Sequence, residues 1–400
     1  MRLSHPTTTV LKLGSAQTLA WASSYYLPAI LGAAMARDLG LGVATVFAAF
    51  SVALVVSAIL GPRAGRAIDA WGGRPVLAVS NLVFALGLAM LALAQGSAML
   101  FLGWAVVGVA MAGGLYEAAF ASLVRIYRSD ARSAITGITL IAGFASTVGW
   151  PISTALESWI GWRGTCWAWA GLHLLIGLPL NLWLPQRDLG RTTLEVQAPQ
   201  APPVSGPATQ PDMSATSPVP RNTVYLLALV FAITWFISTA MAAHLPALLV
   251  HSGAGMATVV LAGALMGPAQ VAGRLLEFGL LRHVHPLQSA RLAAALHPVG
   301  AVALALLGAP AAIGFALLHG AGNGVLTIAK GTLPLALFGP QAYGERQGLL
   351  MVPARLAQAL APWLFGLAFA RWGANALWLS VVLGSVSCVA LWRIAPLQRR

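Results

Sequence analysis

Apolar residues fill this chain in long unbroken stretches, not in the alternation of a strand or the narrow apolar stripe of a water-facing helix. A helix that crosses the hydrocarbon core of a bilayer needs about 20 mostly apolar residues, and stretches of that length recur throughout. The pattern therefore predicts an all-α integral membrane protein with twelve spanning helices. The predicted spans, numbered here as segments 1 to 12, are 13–35, 41–61, 75–94, 98–122, 134–157, 165–184, 223–249, 257–280, 289–308, 310–334, 347–369 and 374–394.

Composition also indicates that the bilayer is the main solvent. Of 400 residues, 58% are hydrophobic and only 8% are charged, and the mean hydropathy is +0.79. Soluble domains carry roughly 25% charged residues, so this chain has too few to cover a water-facing surface. The apolar run after residues 1–10 lacks a small-residue cleavage site, and we interpret it as a retained first helix and not as a signal peptide.

The net charge of +13 arises from basic residues that lie between the apolar stretches. This placement is typical of a topology signal and not of a nucleic-acid-binding face, so we expect no nucleic-acid partner. Basic residues concentrate on the cytoplasmic side of membrane proteins, which predicts two cytoplasmic termini in a bacterial inner membrane. That side collects Arg63, Arg66, Arg74, Arg125, Arg128, Arg132, Arg187, Arg191, Arg221, Arg282, Arg346, Arg399 and Arg400, and the other side only Arg37, Arg163 and Arg371.

The chain divides into two similar halves. Residues 185–222 are rich in Pro, Ala, Ser, Thr and Gln, which predicts a disordered cytoplasmic linker between bundles at 1–184 and 223–400. Four features of the first half recur in order in the second, which indicates a duplicated six-helix unit. They are Leu27-Pro28-Ala29 and Leu245-Pro246-Ala247, Gly65-Arg66-x-x-Asp69 and Gly273-Arg274-x-x-Glu277, the small residues around Gly108 and Gly322, and Pro151 and Pro362.

The loop after segment 2 reads GRAIDAWGGRP, in which Gly65, Asp69, Gly72 and Arg74 match the Gly-x-x-x-Asp-x-x-Gly-x-Arg signature of the major facilitator superfamily. The chain resembles that family along its whole length by helix count and linker. The resemblance implies two pseudo-symmetric bundles that rock around a midplane site, and a conformational latch at this loop. Arg66 and the repeat counterparts Arg274 and Glu277 are assigned to the same latch.

Two departures from the family bear on function. Trp104 stands where proton-linked members often carry an Arg, and Trp150 interrupts the Gly-Pro pair of the drug-antiporter signature. Both departures weaken the resemblance to a multidrug antiporter. The Gly-Pro and Arg of segment 8 are loosely similar to the monocarboxylate and oxalate–formate branches.

Ionisable groups at membrane depth cost at least ~2.5–3.5 kcal/mol, so each is a functional candidate. Glu117 in segment 4 is the leading candidate for proton coupling, and a structural pair with Arg125 or Arg128 is the alternative. Arg355 in segment 11 offers a donor fork suited to a carboxylate or an oxyanion, or it snorkels to the helix end.

Several other residues are candidates for the central site. Lys330 is expected to snorkel to the cytoplasmic interface more readily than to bind substrate, and Arg274 is expected to be a structural counterpart of Arg66. The resemblance implies that segments 1, 4, 7 and 10 line the cavity. The remaining candidates, which also suit an interfacial belt or helix packing, are Gln17, Tyr25, Tyr26, His244, His319 and Asn323.

These features predict a secondary active transporter for a small anionic or polar metabolite, with protons as the expected coupling ion and a single chain as the working unit. The alternative is a proton-driven efflux transporter for a toxic compound, either a drug or an inorganic oxyacid. No nucleotide-binding loop or His-Glu-x-x-His motif is present, so an enzyme is not expected. Cys166 and Cys388 lie in apolar stretches, and we expect neither a metal site nor a cofactor.

Overall fold

A computed structural model describes residues 5–185 and 221–395. The predicted linker at 185–222 lies almost wholly outside these ranges. Within them every regular element is a helix, as lipid demands, because a helix satisfies its own backbone hydrogen bonds where water is absent. The twelve predicted spans are all helical, and the structure is two six-helix bundles.

Segments 1, 4 and 5 each consist of two helices. The second helix of segment 5 continues into segment 6 across a bend at Gly161, whose φ is 71°. Segments 1 to 6 are His5–Ser23 with Leu27–Asp38, Val43–Trp71, Gly73–Ala92, Ser97–Gly114 with Tyr116–Tyr127, Ala131–Ala142 with 145–160, and 162–172 with Leu178–Leu182. Segments 7 to 12 are Arg221–His251, Met256–Gly279, Pro286–Leu307, Ala312–Phe338, Tyr343–Trp372 and Leu377–Arg393.

Small residues allow the helices of each half to pack closely. Gly108 of segment 4 lies against the backbone of Ala53 in segment 2, and Gly324 of segment 10 lies against the backbone of Gln270 in segment 8. Close backbone approach of this kind is the usual means of helix association in membranes. Large apolar side chains such as Trp159 and Val260 remain exposed on the surface, as expected of a protein whose main solvent is lipid.

The two halves meet most closely at the end of the molecule that carries the loop between segments 2 and 3. We call this end the latch end. Segment 2 packs there against segment 11, and segment 5 packs against segment 8. Gly65 and Gly344 bring the backbones of segments 2 and 11 into contact, so a methyl group on Gly65 would overlap the Gly344 carbonyl.

Candidate substrate cavity and latch contacts

A cavity of about 130 Å³ lies between the halves. It is bordered by segments 1, 4, 5, 7, 8 and 10, two more segments than the resemblance implied. Its aromatic lining is Trp21, Tyr25, Tyr26, Tyr116 and Trp235, and its polar lining is Ser238, Gln270, Arg274, His319, Asn323 and Thr327.

A break in segment 4 positions Glu117 beside this cavity. Leu115 is extended, so one helix ends at Gly114 and the next begins at Tyr116. The freed carbonyl of Gly114 accepts a hydrogen bond from Nε2 of Gln17, at 2.7 Å. Glu117 therefore lies in the first turn of the second helix, where the helix dipole favours a negative charge. Gln17 holds the break in place and does not line the cavity.

Glu117 and Arg355 form an ion pair that joins the two halves. Nη2 of Arg355 lies 2.9 and 3.1 Å from the carboxylate oxygens, and Nη1 donates to Oε1 of Gln358 at 3.0 Å. The side chains are 17% and 3% exposed respectively, so water screens the pair weakly. The structural pair expected with Arg125 or Arg128 does not form. Arg125 donates instead to the Asp69 carbonyl.

Lys330 lies beside this pair and does not reach the interface, so the expectation of snorkelling was wrong. Its ammonium is buried 3.7 Å from the centre of the Trp235 ring, and its Nζ has no hydrogen-bond acceptor in the described part of the chain. Trp235 stacks on Trp21 with ring centres 6.3 Å apart. Arg355 lies 5.4 Å from the centre of the Trp235 ring and 5.8 Å from that of the Trp21 ring, and both rings also line the cavity.

Arg274 borders the cavity directly. Its side chain touches Gly143 of segment 5, only 6% of the residue is exposed, and neither Nε nor Nη1 has a partner among the described residues. Arg66, its counterpart in the repeat, is exposed and binds Glu345 at 2.9 Å. The expectation that these two arginines are structural equivalents was therefore wrong, because one lies in water and the other lines a buried cavity.

The predicted latch residue Asp69 binds the other half. Its two carboxylate oxygens accept from the backbone N–H groups of Gly344 and Glu345, at 2.9 and 2.8 Å, at the start of segment 11. A helix N-terminus stabilises an acidic group by its unpaired N–H donors and its dipole. Gly72, with φ of 92°, ends segment 2, and Arg74 is half-buried at the start of segment 3.

The acidic residue of the second copy of the motif, Glu277, also binds the other half. Glu277 is buried and accepts from Nη2 of Arg132 in segment 5 at 2.9 Å. The same arginine donates to the carbonyl oxygens of Leu281 and Val284.

The remaining candidates separate into two groups. Tyr25, Tyr26 and Asn323 line the cavity, as does His319, whose Nδ1 lies 2.9 Å from Nδ1 of His297. His244 does not line the cavity. Its Nε2 lies 2.8 Å from the carbonyl oxygen of Pro362, on a more exposed part of the surface. Sequence reasoning missed Tyr116, Gln270 and His297, although a polar or aromatic side chain inside an apolar helix was the available signal.

Residues 13–317 match the family model described as Major Facilitator Superfamily. The chain belongs to the major facilitator superfamily. A relative from Thermoproteus tenax, an uncharacterized 38 kDa protein in the 23S RNA operon, is 28% identical over 375 residues, which cover 92% of this chain and 90% of the relative. This major facilitator is therefore a membrane transporter and not an enzyme.

Solved major facilitators share its fold. A bacterial homologue of the iron transporter ferroportin, in an outward-facing state, has a TM-score of 0.74 at 14% identity and covers 98% of this chain and 99% of its own. The proton:xylose symporter XylE scores 0.73 at 11% identity, over 98% and 96%. The human organic anion transporter MFSD10 scores 0.66 at 16% identity, over 97% and 98%.

Proposed function

We propose that this transporter moves a small anion across the bacterial inner membrane by alternating access of 1–184 against 223–400, and that the transport is coupled to protons. In this proposal the latch end and both termini face the cytoplasm, a single chain is the working unit, and the central cavity holds the substrate. The observation that carries the proposal is Arg274, a buried arginine that lines the cavity and whose Nε and Nη1 have no partner among the residues that the structure describes.

The charge balance around the cavity supports an anionic substrate. Among the described residues, three basic groups, Arg274, Lys330 and Arg355, lie in or beside it, and Glu117 is the one acidic group that meets them. An uncompensated charge away from water is strongly unfavourable. A bound carboxylate or oxyanion would offset that cost, and the guanidinium of Arg274 would supply charge-assisted hydrogen bonds to it.

The contact between Glu117 and Arg355 supports proton coupling. The carboxylate belongs to one half and the guanidinium to the other. A proton on Glu117 removes the charge that holds Arg355, which weakens one of the contacts between the halves. Proton binding is then linked to the conformational change, because the protonated carboxyl favours separation of segments 4 and 11.

The latch contacts support alternating access. Asp69, Gly65 and the Glu277–Arg132 pair all join the halves at one end of the molecule, and Trp21 and Trp235, which line the cavity from opposite halves, stack on each other. The structure therefore corresponds to a state that is closed at the latch end. Transport requires these contacts to break while contacts at the other end form.

The experiment that tests the anion site is thermal unfolding of the purified protein with a panel of small carboxylates, inorganic oxyacids and amphipathic cations at two pH values. Ligand at ~100 times its Kd raises stability by about 2.7 kcal/mol if it binds only the folded protein. We expect stabilisation by an anion in the wild type and in Arg66→Ala, and its loss in Arg274→Ala. Stabilisation by cations alone, or by an anion equally in both variants, would contradict the proposal.

Glu117→Gln tests the coupling, because an amide cannot load and release a proton. We expect uptake into proteoliposomes to lose its dependence on an imposed pH gradient, while Glu345→Gln, which alters an exposed carboxylate at the latch end, retains it. A Glu117→Gln protein with the pH dependence of the wild type would exclude this residue as the coupling site.

The aromatic lining favours one second candidate, proton-driven efflux of a toxic compound. The five rings around the cavity suit an amphipathic drug as well as an organic anion. A counterflow assay separates the two, because efflux requires outward movement of the compound in exchange for protons.

A further inference from the structure

A second and smaller cavity of about 30 Å³ lies inside the C-terminal half, between segments 7, 9, 10 and 12. His297 and His319 border it, and Ser387 contributes a hydroxyl. A space of this size is sufficient for a water molecule, which needs roughly 10–15 Å³ and two or more polar partners.

The two histidines contact each other through like nitrogens. Their Nδ1 atoms are 2.9 Å apart, and the residues are only 7% and 3% exposed. Phe315 stacks against the ring of His319 with centres 5.8 Å apart, which holds it in place. Neither Nε2 has a hydrogen-bond partner within the described ranges, and the same is true of the Ser387 hydroxyl.

Elementary chemistry determines which ring nitrogens of the pair carry a proton. A neutral imidazole carries one N–H and one lone pair, so one Nδ1 must donate and the other must accept. The donating ring then has a lone pair at its Nε2, and the accepting ring has an N–H at its Nε2. An unpaired outer nitrogen in so buried a site is unfavourable, whereas water in the small cavity can satisfy an outer nitrogen that it reaches.

The pair also connects to the substrate cavity, because His319 lines both spaces. Among the described residues, segment 7 contributes no charged group to either space, and the polar side chain that segment 12 contributes is Ser387. Within the described ranges, the one charged side chain that lines a space shared with the pair is Arg274 of segment 8. The titratable tyrosines of the shared cavity are Tyr25, Tyr26 and Tyr116. The other polar residues that line the two spaces beside the pair are Thr234, Ser238, Gln270, Asn323, Thr327 and Ser387.

We propose that His297 and His319 together form a proton-binding site, separate from Glu117, at which one proton enters through water in the small cavity. The proton bonds to the free Nε2 lone pair, no bond breaks in the protein, and the pair becomes a singly charged unit that shares its charge across the Nδ1–Nδ1 hydrogen bond. A second proton is excluded, because it would remove that bond and place two positive charges side by side.

His173 in the other half provides a matched control. It is buried as deeply as the pair, but its Nε2 lies 2.7 Å from the Ser23 hydroxyl and its Nδ1 lies 2.9 Å from Oδ1 of Asn81. Both of its ring nitrogens are therefore in use, so we expect His173 to take up no proton under conditions in which the pair does.

The test is nitrogen NMR of ring-labelled histidine in the full chain, reconstituted in nanodiscs. Substitution of the other five histidines by glutamine leaves His173, His297 and His319, so the pair itself is unaltered. Those five are His5, His244, His251, His283 and His285. Separate His173→Gln and His319→Gln variants assign the signals, and thermal unfolding verifies that each variant is folded.

We expect the His297 and His319 signals to change together as the pH is lowered, with the gain of one proton for the two rings before any change at His173. Two rings that titrate independently, or a pair as inert as His173, would overturn the proposal. The test uses no substrate, so its failure would leave the anion site at Arg274 untouched, and the reverse holds for the ligand panel.

Discussion

The two copies of the Gly-Arg-x-x-acid motif have the same sequence pattern but different surroundings. In the first half Gly65 touches the opposite half, Arg66 lies in water and Asp69 binds a helix N-terminus across the halves. In the second half, Gly273 packs within its own half and Glu277 binds an arginine across the halves. Arg274 lines the substrate cavity.

The acidic position has kept one role in both copies, which is to hold the halves together at the latch end. The arginine has not. The side chain of Arg66 is 55% exposed and pairs with Glu345, whereas Arg274 is buried with unpaired donors. A duplicated motif thus preserves its backbone position while the neighbouring helices determine what each side chain meets.

The largest difference between the copies should appear at the arginines. We expect Arg274→Ala to weaken binding of the transported anion roughly 10- to 100-fold, since a hydrogen bond to a charged group contributes about 1.5–3 kcal/mol and 1.4 kcal/mol is tenfold. Counterflow in proteoliposomes measures this, and Arg274→Lys tests whether charge alone suffices. An equal loss of anion binding in Arg66→Ala would show that the two arginines do not differ in function.

Substitution of the two glycines should affect different properties of the protein. A methyl group on Gly65 would overlap the Gly344 carbonyl of the other half, and one on Gly273 would overlap the Ala321 carbonyl of its own half. Overpacking costs about 1–3 kcal/mol. We therefore expect Gly65→Ala to open the latch end without loss of stability, and Gly273→Ala to lower the melting temperature without opening it.

Distances between spin labels at Arg63 and Arg282, in a cysteine-free background, report the opening of the latch end. Gly65→Ala should give a longer distance than the wild type and Gly273→Ala an unchanged one. Similar distances in both variants would show that closure does not depend on the contact between Gly65 and Gly344.

Substitution of the two acidic residues should open the latch end to different extents. Asp69→Ala removes the acceptor for two backbone N–H groups, a loss of about 1 kcal/mol, so the ratio of open to closed latch end should rise roughly fivefold. Glu277→Gln should have a smaller effect, because Arg132 retains the carbonyl oxygens of Leu281 and Val284 as acceptors. The same label distances measure both, and a larger shift in Glu277→Gln would reverse the ranking.

The smallest effect should come from Arg66→Ala. Its ion pair with Glu345 is exposed, and such pairs contribute about 0–1 kcal/mol and weaken as salt is added. Anion affinity should stay within roughly threefold of the wild type. A large loss of transport in this variant, insensitive to ionic strength, would give Arg66 a role that its position does not suggest.

Particular residues show where sequence reasoning succeeded and failed. Tyr25, Tyr26 and Asn323 were predicted at the cavity from the helices that carry them, and the structure has them there. Asp69 was assigned to a latch from the family signature, and its carboxylate binds the N-terminus of segment 11 in the other half. Lys330 and Arg274 were misjudged, because snorkelling and repeat symmetry both assume surroundings that a single helix does not specify.

The sequence by itself determined the helical class, the twelve spans, the division into halves and the family. These follow from local quantities: the length of apolar stretches is matched to the bilayer thickness, and each helix satisfies its own backbone. The tertiary structure alone decided that Glu117 pairs with Arg355, that Arg274 lines the cavity and that His297 meets His319. Such contacts depend on how each helix is rotated about its axis and on where helices break, which is set by packing between residues far apart in the chain.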